Sequence, residues 1–206
     1  MKKLFVIGAT SLMLFAGSNM DASAAKAKDF VPKKGKTYIT SGNGYYLNSY
    51  KIKSKTSYKN SYWYDYEYNF KSKKYESFYS LKYKYVMKKD GLYMVGKQPN
   101  YTDIANVQFK VLPTNIKKGM TYKVLSQFDH TKFYTTNKII STTEKVKIGK
   151  KTYKNVVKVM EDITSSDTSY RYYAKGVGVI KYYGNNNQSG GSKMKSSSSL
   201  TSIINK

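Results

Sequence analysis

The 206 residues contain no cysteine, and that one absence removes several classes of protein at once. Without a thiol there is no disulfide framework, no thiolate metal cluster and no lipid attachment through an N-terminal cysteine. Histidine occurs once, as His130, so neither a zinc cluster nor haem ligation finds its ligands. Arginine also occurs once, as Arg171. Specific reading of nucleic acid leans on arginine's planar fork, which lysine, a hydrated point charge, does not reproduce. Acidic residues number 12 against 37 basic ones, which leaves few carboxylates to build a catalytic site. No segment joins an N-cap, a sustained helical period and a C-cap glycine, so no helix is expected. A phosphate-cradling glycine loop, a nucleophile elbow and a Ser/His/Asp arrangement are all missing. Nothing in the chain calls for a cofactor or a metal, and the expectation is a protein that is not an enzyme.

What is present begins with an export signal. Lys2 and Lys3 precede an apolar run from Leu4 to Gly17, and Ala22-Ser23-Ala24 has the small-x-small form of a cleavage site. The run is shorter than the roughly 20 apolar residues a membrane-spanning helix needs. Residues 1–24 are therefore expected to be a cleaved signal peptide, with Ala27 as a second acceptable cleavage point. Residues 25–35 read as a flexible leader, and 36–206 as one antiparallel β domain, large enough for a core of its own. The mature product is expected outside the cell, released or held at the wall by charge, with no transmembrane segment.

From Lys36 onward the chain alternates. Ser41-Gly42-Asn43-Gly44 reads as a hairpin turn. Tyr58 to Phe70 reads as one strand, with Tyr62, Tyr64, Tyr66, Tyr68 and Phe70 packed on one face and Trp63, Asp65 and Glu67 outward on the other. Lys71 to Lys74 makes a basic turn. Tyr79, Leu81, Tyr83, Tyr85 and Met87 face inward next, with Lys82 and Lys84 outward, before a tight turn at Asp90-Gly91. Further strands are expected at Val107 to Leu112, Tyr122 to Phe128, Phe133 to Val146, Tyr153 to Met160, Ser169 to Ala174, Val177 to Tyr183 and Ser196 to Ile204. Tyr153 to Met160 also fits helical spacing, but its valines favour a strand. Gly176 and Gly178 mark a bulge or a close approach of backbone. The fold class that follows is all-β: a single antiparallel sheet, a meander curving into an open half-barrel or sandwich.

The candidate chemistry is sparse. Asp65 and Glu67 beside Trp63 have the look of a glycosidase pair, and equally of outward acids meeting cross-strand lysines; the three residues are the candidate ligand contacts. Glu161, Asp162 and Asp167 could hold calcium by oxygen ligands, though the spacing matches no known loop. His130 beside Asp129 sits between strands and reads as an exposed turn residue. The densest basic set is Lys71, Lys73, Lys74, Lys82, Lys84, Lys88 and Lys89, which suits nonspecific attraction to a polyanion. An AT-rich genome would enrich lysine and tyrosine as well, with the same electrostatic result.

Three stretches carry a resemblance. They are Leu112-Pro113 followed by Ile116-Lys117-Lys118-Gly119-Met120-Thr121-Tyr122; Val146-Lys147-Ile148-Gly149 with Tyr153-Lys154-Asn155-Val156-Val157-Lys158; and Tyr172-Tyr173-Ala174-Lys175-Gly176-Val177-Gly178-Val179-Ile180-Lys181. On these, a little under half of the mature chain resembles a group of uncharacterised secreted proteins and lipoproteins of Gram-positive bacteria. Tyr122 stands where the group usually has tryptophan, and the lipobox cysteine of many members is missing. The resemblance implies an antiparallel fold of open half-barrel type and carries over no catalytic residue. Charge and export together give the functional expectation: a basic protein that adheres to anionic envelope polymers or host-surface glycans. A carrier of a lipid or other apolar ligand within a curved sheet is the second expectation, and a glycan-acting hydrolase the third.

Overall fold

The computed structural model describes residues 25–43, 51–59, 62–69, 71–76, 82–99, 104–128, 130–163, 167–187 and 193–205. The expected signal peptide lies outside them. The strands are Ala25–Lys26 (β1), Lys36–Asn43 (β2), Lys51–Lys59 (β3), Tyr62–Asn69 (β4), Lys74–Glu76 (β5), Lys82–Lys88 (β6), Gly91–Pro99 (β7) and Ile104–Pro113 (β8). They continue with Asn115–Ile116 (β9), Thr121–Phe128 (β10), Thr131–Ile148 (β11), Lys151–Glu161 (β12), Thr168–Ala174 (β13), Gly178–Asn187 (β14) and Lys193–Asn205 (β15). A single 3-10 turn spans Ala27–Phe30.

Thirteen strands form one antiparallel sheet in the order β3-β2-β15-β14-β13-β12-β11-β10-β8-β7-β6-β4-β5. Sequence neighbours are mostly sheet neighbours, because short polar connections favour antiparallel pairing of consecutive strands. The sheet curls until its ends meet, since β3 pairs with β4 as well as with β2. The circuit is joined between β4 and β6 only by Trp63↔Tyr83 and Tyr64↔Lys82. That narrow seam stands where a regular barrel would have a full ladder. The single curved antiparallel sheet expected from the alternation is what forms.

Two hydrophobic clusters fill the concave side. One gathers Phe30, Leu92, Leu112, Ile139, Val157 and Val159, and the other gathers Tyr38, Trp63, Tyr83, Val156, Ile180 and Leu200. Tyr85 packs against both. At β12 the helical reading of Tyr153 to Met160 loses: Val157 and Val159 both turn inward at period two, while Lys158 between them stacks on Tyr170 at 4.5 Å.

Four local expectations are corrected. The strand expected from Tyr58 to Phe70 is broken, because the chain reverses and Lys59 pairs with Tyr62. The facing of Tyr62 to Tyr64 is also opposite to that expected. Trp63 is 2% exposed and packs on Tyr38 and Tyr85 at 5.8 and 6.3 Å, whereas Tyr62 lies under the Lys82 ammonium at 4.7 Å. Residues opposite one another in a ladder share a face, so pairing Tyr64 with the outward Lys82 sends Trp63 inward. The physics favours this solution. Tryptophan has the most apolar surface to bury, and a tyrosine hydroxyl is content in water.

The turn expected at Ser41 to Gly44 does not form at its first three residues, for β2 runs straight through Asn43. Gly42 serves instead as a point of close approach: a Cβ there would lie 1.8 Å from the Ser197 carbonyl oxygen on β15. Finally, the leader is docked where a loose tether was expected. Ala25 pairs with Ile116, and Ala27 and Phe30 are each 1% exposed. The Gly176 N–H donates to the Asp29 carbonyl at 2.6 Å and Lys33 N–H to the Gly176 carbonyl at 3.1 Å. Gly178, at φ +81, leaves room for Pro32, whose Cγ would sit 2.8 Å from an added Cβ. The close approach expected at this glycine pair is to the leader. Burying a phenylalanine is worth about 1.5–3 kcal/mol, enough to hold a short segment down.

Candidate functional site

Two features of the sheet have functional geometry, one on each face. All seven of the singled-out lysines are exposed, Lys71, Lys73, Lys74, Lys82, Lys84, Lys88 and Lys89, and alternation against the inward Tyr83 puts Lys82 and Lys84 on the convex face. Lys82 and Lys84 stand over the Tyr62 ring at 4.7 and 5.9 Å. Lys88 stands over Tyr93 at 4.7 Å and donates to the Gln108 side chain. A ring holds an ammonium by its quadrupole without cancelling its charge. Lys71 to Lys74 lie at the far end of β4, beyond Asn69, and Lys88 and Lys89 at the opposite end of β6. With β6 set antiparallel to β4, the set makes a stripe on the order of 35 Å long at about 3.3 Å per residue.

Asp90 lies beside this stripe. It accepts from Lys110 at 2.7 Å and from the Tyr93 hydroxyl at 2.8 Å. The Lys110 hydrogen bond, then that of Tyr93, holds the Asp90 carboxyl below its ordinary pKa. Burial and the Asp90 contact push Tyr93 up to about 12.

On the concave side lies a cavity of about 480 Å³. It opens where β8 and β10 part company. The two strands share only three residue pairs, ending at Phe109↔Ser126, after which the Tyr122 hydroxyl bridges the gap by donating to the Val111 carbonyl at 3.2 Å. One row of inward residues runs across five strands through the pairs Tyr85↔Met94, Met94↔Phe109, Phe109↔Ser126 and Ser126↔Phe133. The first four line the cavity. The fifth, Phe133, is 57% exposed and lies beyond the last β11–β12 pair, Lys138↔Met160.

Facing that apolar row stands the chain's one arginine. Alternation along β13 puts Arg171 and Tyr173 on the cavity side and leaves Tyr170 and Tyr172 outside under Lys158. Arg171 Nε lies 2.9 Å from Glu161 Oε1, close but poorly aligned for a hydrogen bond. Its Nη2 donates to Oε2 at 3.2 Å. The Tyr182 ring lies 5.6 Å from Cζ. Burial disfavours the guanidinium charge, but Glu161 together with Tyr173 and Tyr182 outweighs it and holds the arginine pKa above its usual value. Burial likewise pushes up the hydroxyls of Tyr122 and Tyr173. Asn137, 6% exposed, is fixed by accepting the Asp162 backbone N–H at 2.9 Å.

The expected site residues scatter. Trp63 is core, beside the cavity-lining Tyr85. Asp65 and Glu67 pair through their backbones with Thr56 and Ser54, and their side chains lie outside the described residues. Glu161 and Asp162 do come together at the cavity, with Arg171 as the Glu161 partner. Among the described residues no group of three or more His, Cys, Asp or Glu side chains gathers at metal-binding spacing. His130 is an exposed turn residue, while Asp129 lies outside the described residues. Arg171 was missed, although a lone arginine in a chain full of lysine, alternating with Tyr173 ten residues after Glu161, was a readable signal.

No family model and no curated protein matches this chain. Among solved structures it is similar to "a putative lipoprotein from Parabacteroides distasonis", at 10% identity and a TM-score of 0.38, over 85% of this chain and 98% of that one. That likeness is too loose to transfer a role. Among the described residues no helix is long and apolar enough to cross a membrane.

Proposed function

We propose that the chain is an exported, non-enzymatic protein that attaches by charge to anionic polymers of the cell envelope or to host-surface glycans. The observation that carries this reading is the exposed lysine stripe, where ammonium groups rest on tyrosine rings and so keep their charge. Basic residues exceed acidic ones by 25 over the chain, so the long-range field also draws polyanions in. An elongated stripe suits a linear polymer better than a compact ligand. The export signal expected at residues 1–24 supports an encounter outside the cell. The test is retention on purified walls with and without teichoic acids at rising salt. Charge-driven attachment requires teichoic acid and fades as ions screen it; equal retention throughout would overturn it.

A second reading, carriage of a small ligand within the sheet, is favoured by one observation, the 480 Å³ cavity. That volume lies within the roughly 300–1,000 Å³ typical of small-molecule sites.

A further inference from the structure

We infer that the concave cavity binds an anionic amphiphile: a carboxylate-headed molecule whose head meets the free edge of Arg171 and whose apolar body lies along Tyr85, Met94 and Phe109. This rests on the carriage reading of the cavity and adds the class of ligand. A guanidinium has five N–H donors. Glu161 takes the edge made by Nε and Nη2, which leaves the other edge to face the cavity. The Arg171 side chain keeps 41% of its surface accessible, against 22% for Glu161, and Arg171 is one of the residues that line the cavity. Both Glu161 oxygens lie against Arg171, Oε2 accepting from Nη2 and Oε1 in ion-pair contact 2.9 Å from Nε, and Lys110, the other cation lining the cavity, is committed to Asp90 at 2.7 Å. The unused hydrogen-bonding capacity that the ion pair leaves in the cavity is donor capacity, and carboxylate is the planar acceptor that fits a guanidinium edge. Asp162 also lines the cavity and works against an anion, which makes a cationic ligand the competing outcome.

The apolar body follows from the row of inward residues. Tyr85, Met94 and Phe109 form a continuous apolar wall, and Phe133 continues the same row into solvent at 57% exposure. An exposed phenylalanine in register with a cavity wall is the lip of that cavity, and a chain emerging there would cover it. Glu161 then acts as a positioning residue, fixing the guanidinium plane so that its free edge points inward.

Three probes of equal chain length decide the matter: dodecanoate, dodecanol and dodecylamine. Trp63, the single tryptophan, sits 6.3 Å from Tyr85 and supplies a fluorescence signal, with calorimetry as an independent readout. Dodecanoate should bind at least about tenfold more tightly than dodecanol, the size expected of one charge-assisted hydrogen-bond pair, and dodecylamine no more tightly than the alcohol. The double substitution R171M/E161M, which exchanges the ion pair for apolar side chains and avoids stranding one charge, should equalise acid and alcohol while keeping alcohol binding. Should that variant fail to fold, the ranking of the three probes on the unaltered protein stands alone as the test. Phe133→Ala, at an exposed position, should weaken acid and alcohol alike. Equal affinity for acid and alcohol, a preference for the amine, or a preference that survives the double substitution would each overturn the head-group assignment. An unaffected Phe133→Ala would overturn the placement of the apolar body. Binding of none of the probes would remove the carriage reading itself.

Discussion

On the outer face of β6 the Lys82 and Lys84 ammonium groups stand over the Tyr62 ring, whereas on the inner face of β13 the Arg171 guanidinium stands against the Glu161 carboxylate. The two arrangements answer different solvents. Outside, water already pays for the charge, so a lysine needs only a ring to rest on and remains available to a partner. Inside, an unpaired cation would cost several kcal/mol in desolvation, so the arginine comes with its own acid. One sheet thus separates charge that is kept from charge that is cancelled. The first kind suits a polymer in solution, and the second orients a donor toward the cavity.

The substitution with the largest expected effect lies at neither cation. The docked leader packs into one of the two core clusters, and Phe30 is its anchor at 1% exposure. Phe30→Ala should cost about 3–5 kcal/mol, read as a lower urea midpoint at unchanged slope. A loss under about 0.5 kcal/mol would return the leader to the loose tether that its sequence first indicated. Next comes the ion pair. Arg171→Met alone strands Glu161 and should destabilise by about 3 kcal/mol, less if water reaches the carboxylate through the cavity, and R171M/E161M should restore most of it.

Smaller still is the outer face. Replacing Lys82, Lys84, Lys88 and Lys89 by glutamine should leave thermal stability within about 1 kcal/mol while most of the salt-sensitive retention on walls disappears. The smallest effect is at Asp90. Its native pKa is lowered, so its pairing with Lys110 and Tyr93 adds stability that is fully present above the unfolded value of about 3.9 and fades as pH falls through the native value. The side chain is 57% exposed, so Asp90→Asn should cost no more than about 1 kcal/mol at pH 7. In acid the variant and the unaltered protein should converge, and a gap that widened there would contradict the assignment.

The sheet was legible in the sequence because period two leaves little choice when lysine alternates with tyrosine or valine. Tyr83 and Tyr85 between Lys82 and Lys84 could face only one way, as could Val157 and Val159 around Lys158. The facing of Trp63 was not legible, because Tyr62 to Phe70 offers aromatic rings on both faces and only pairing with Lys82 and Tyr83 decides between them. The reversal between Lys59 and Tyr62 was hidden by tyrosines that continue the alternation on either side. Phe30 was the overlooked clue in the leader: a lone large apolar residue in a polar segment has a place to go. Of the cavity the chain showed only parts. Glu161 and Asp162 stood out as acids, but the Arg171 partner lies on the neighbouring strand, and the Tyr85 to Phe133 row exists only through the register of five strands.

Titrating purified teichoic acid into the protein across a salt series tests whether the outer lysines keep their charge for a polyanion. Affinity should fall steeply as salt rises, and the fall should be much shallower once Lys71, Lys73, Lys74, Lys82, Lys84, Lys88 and Lys89 are replaced by glutamine. A salt-independent affinity, or one that the seven substitutions leave unchanged, would contradict it.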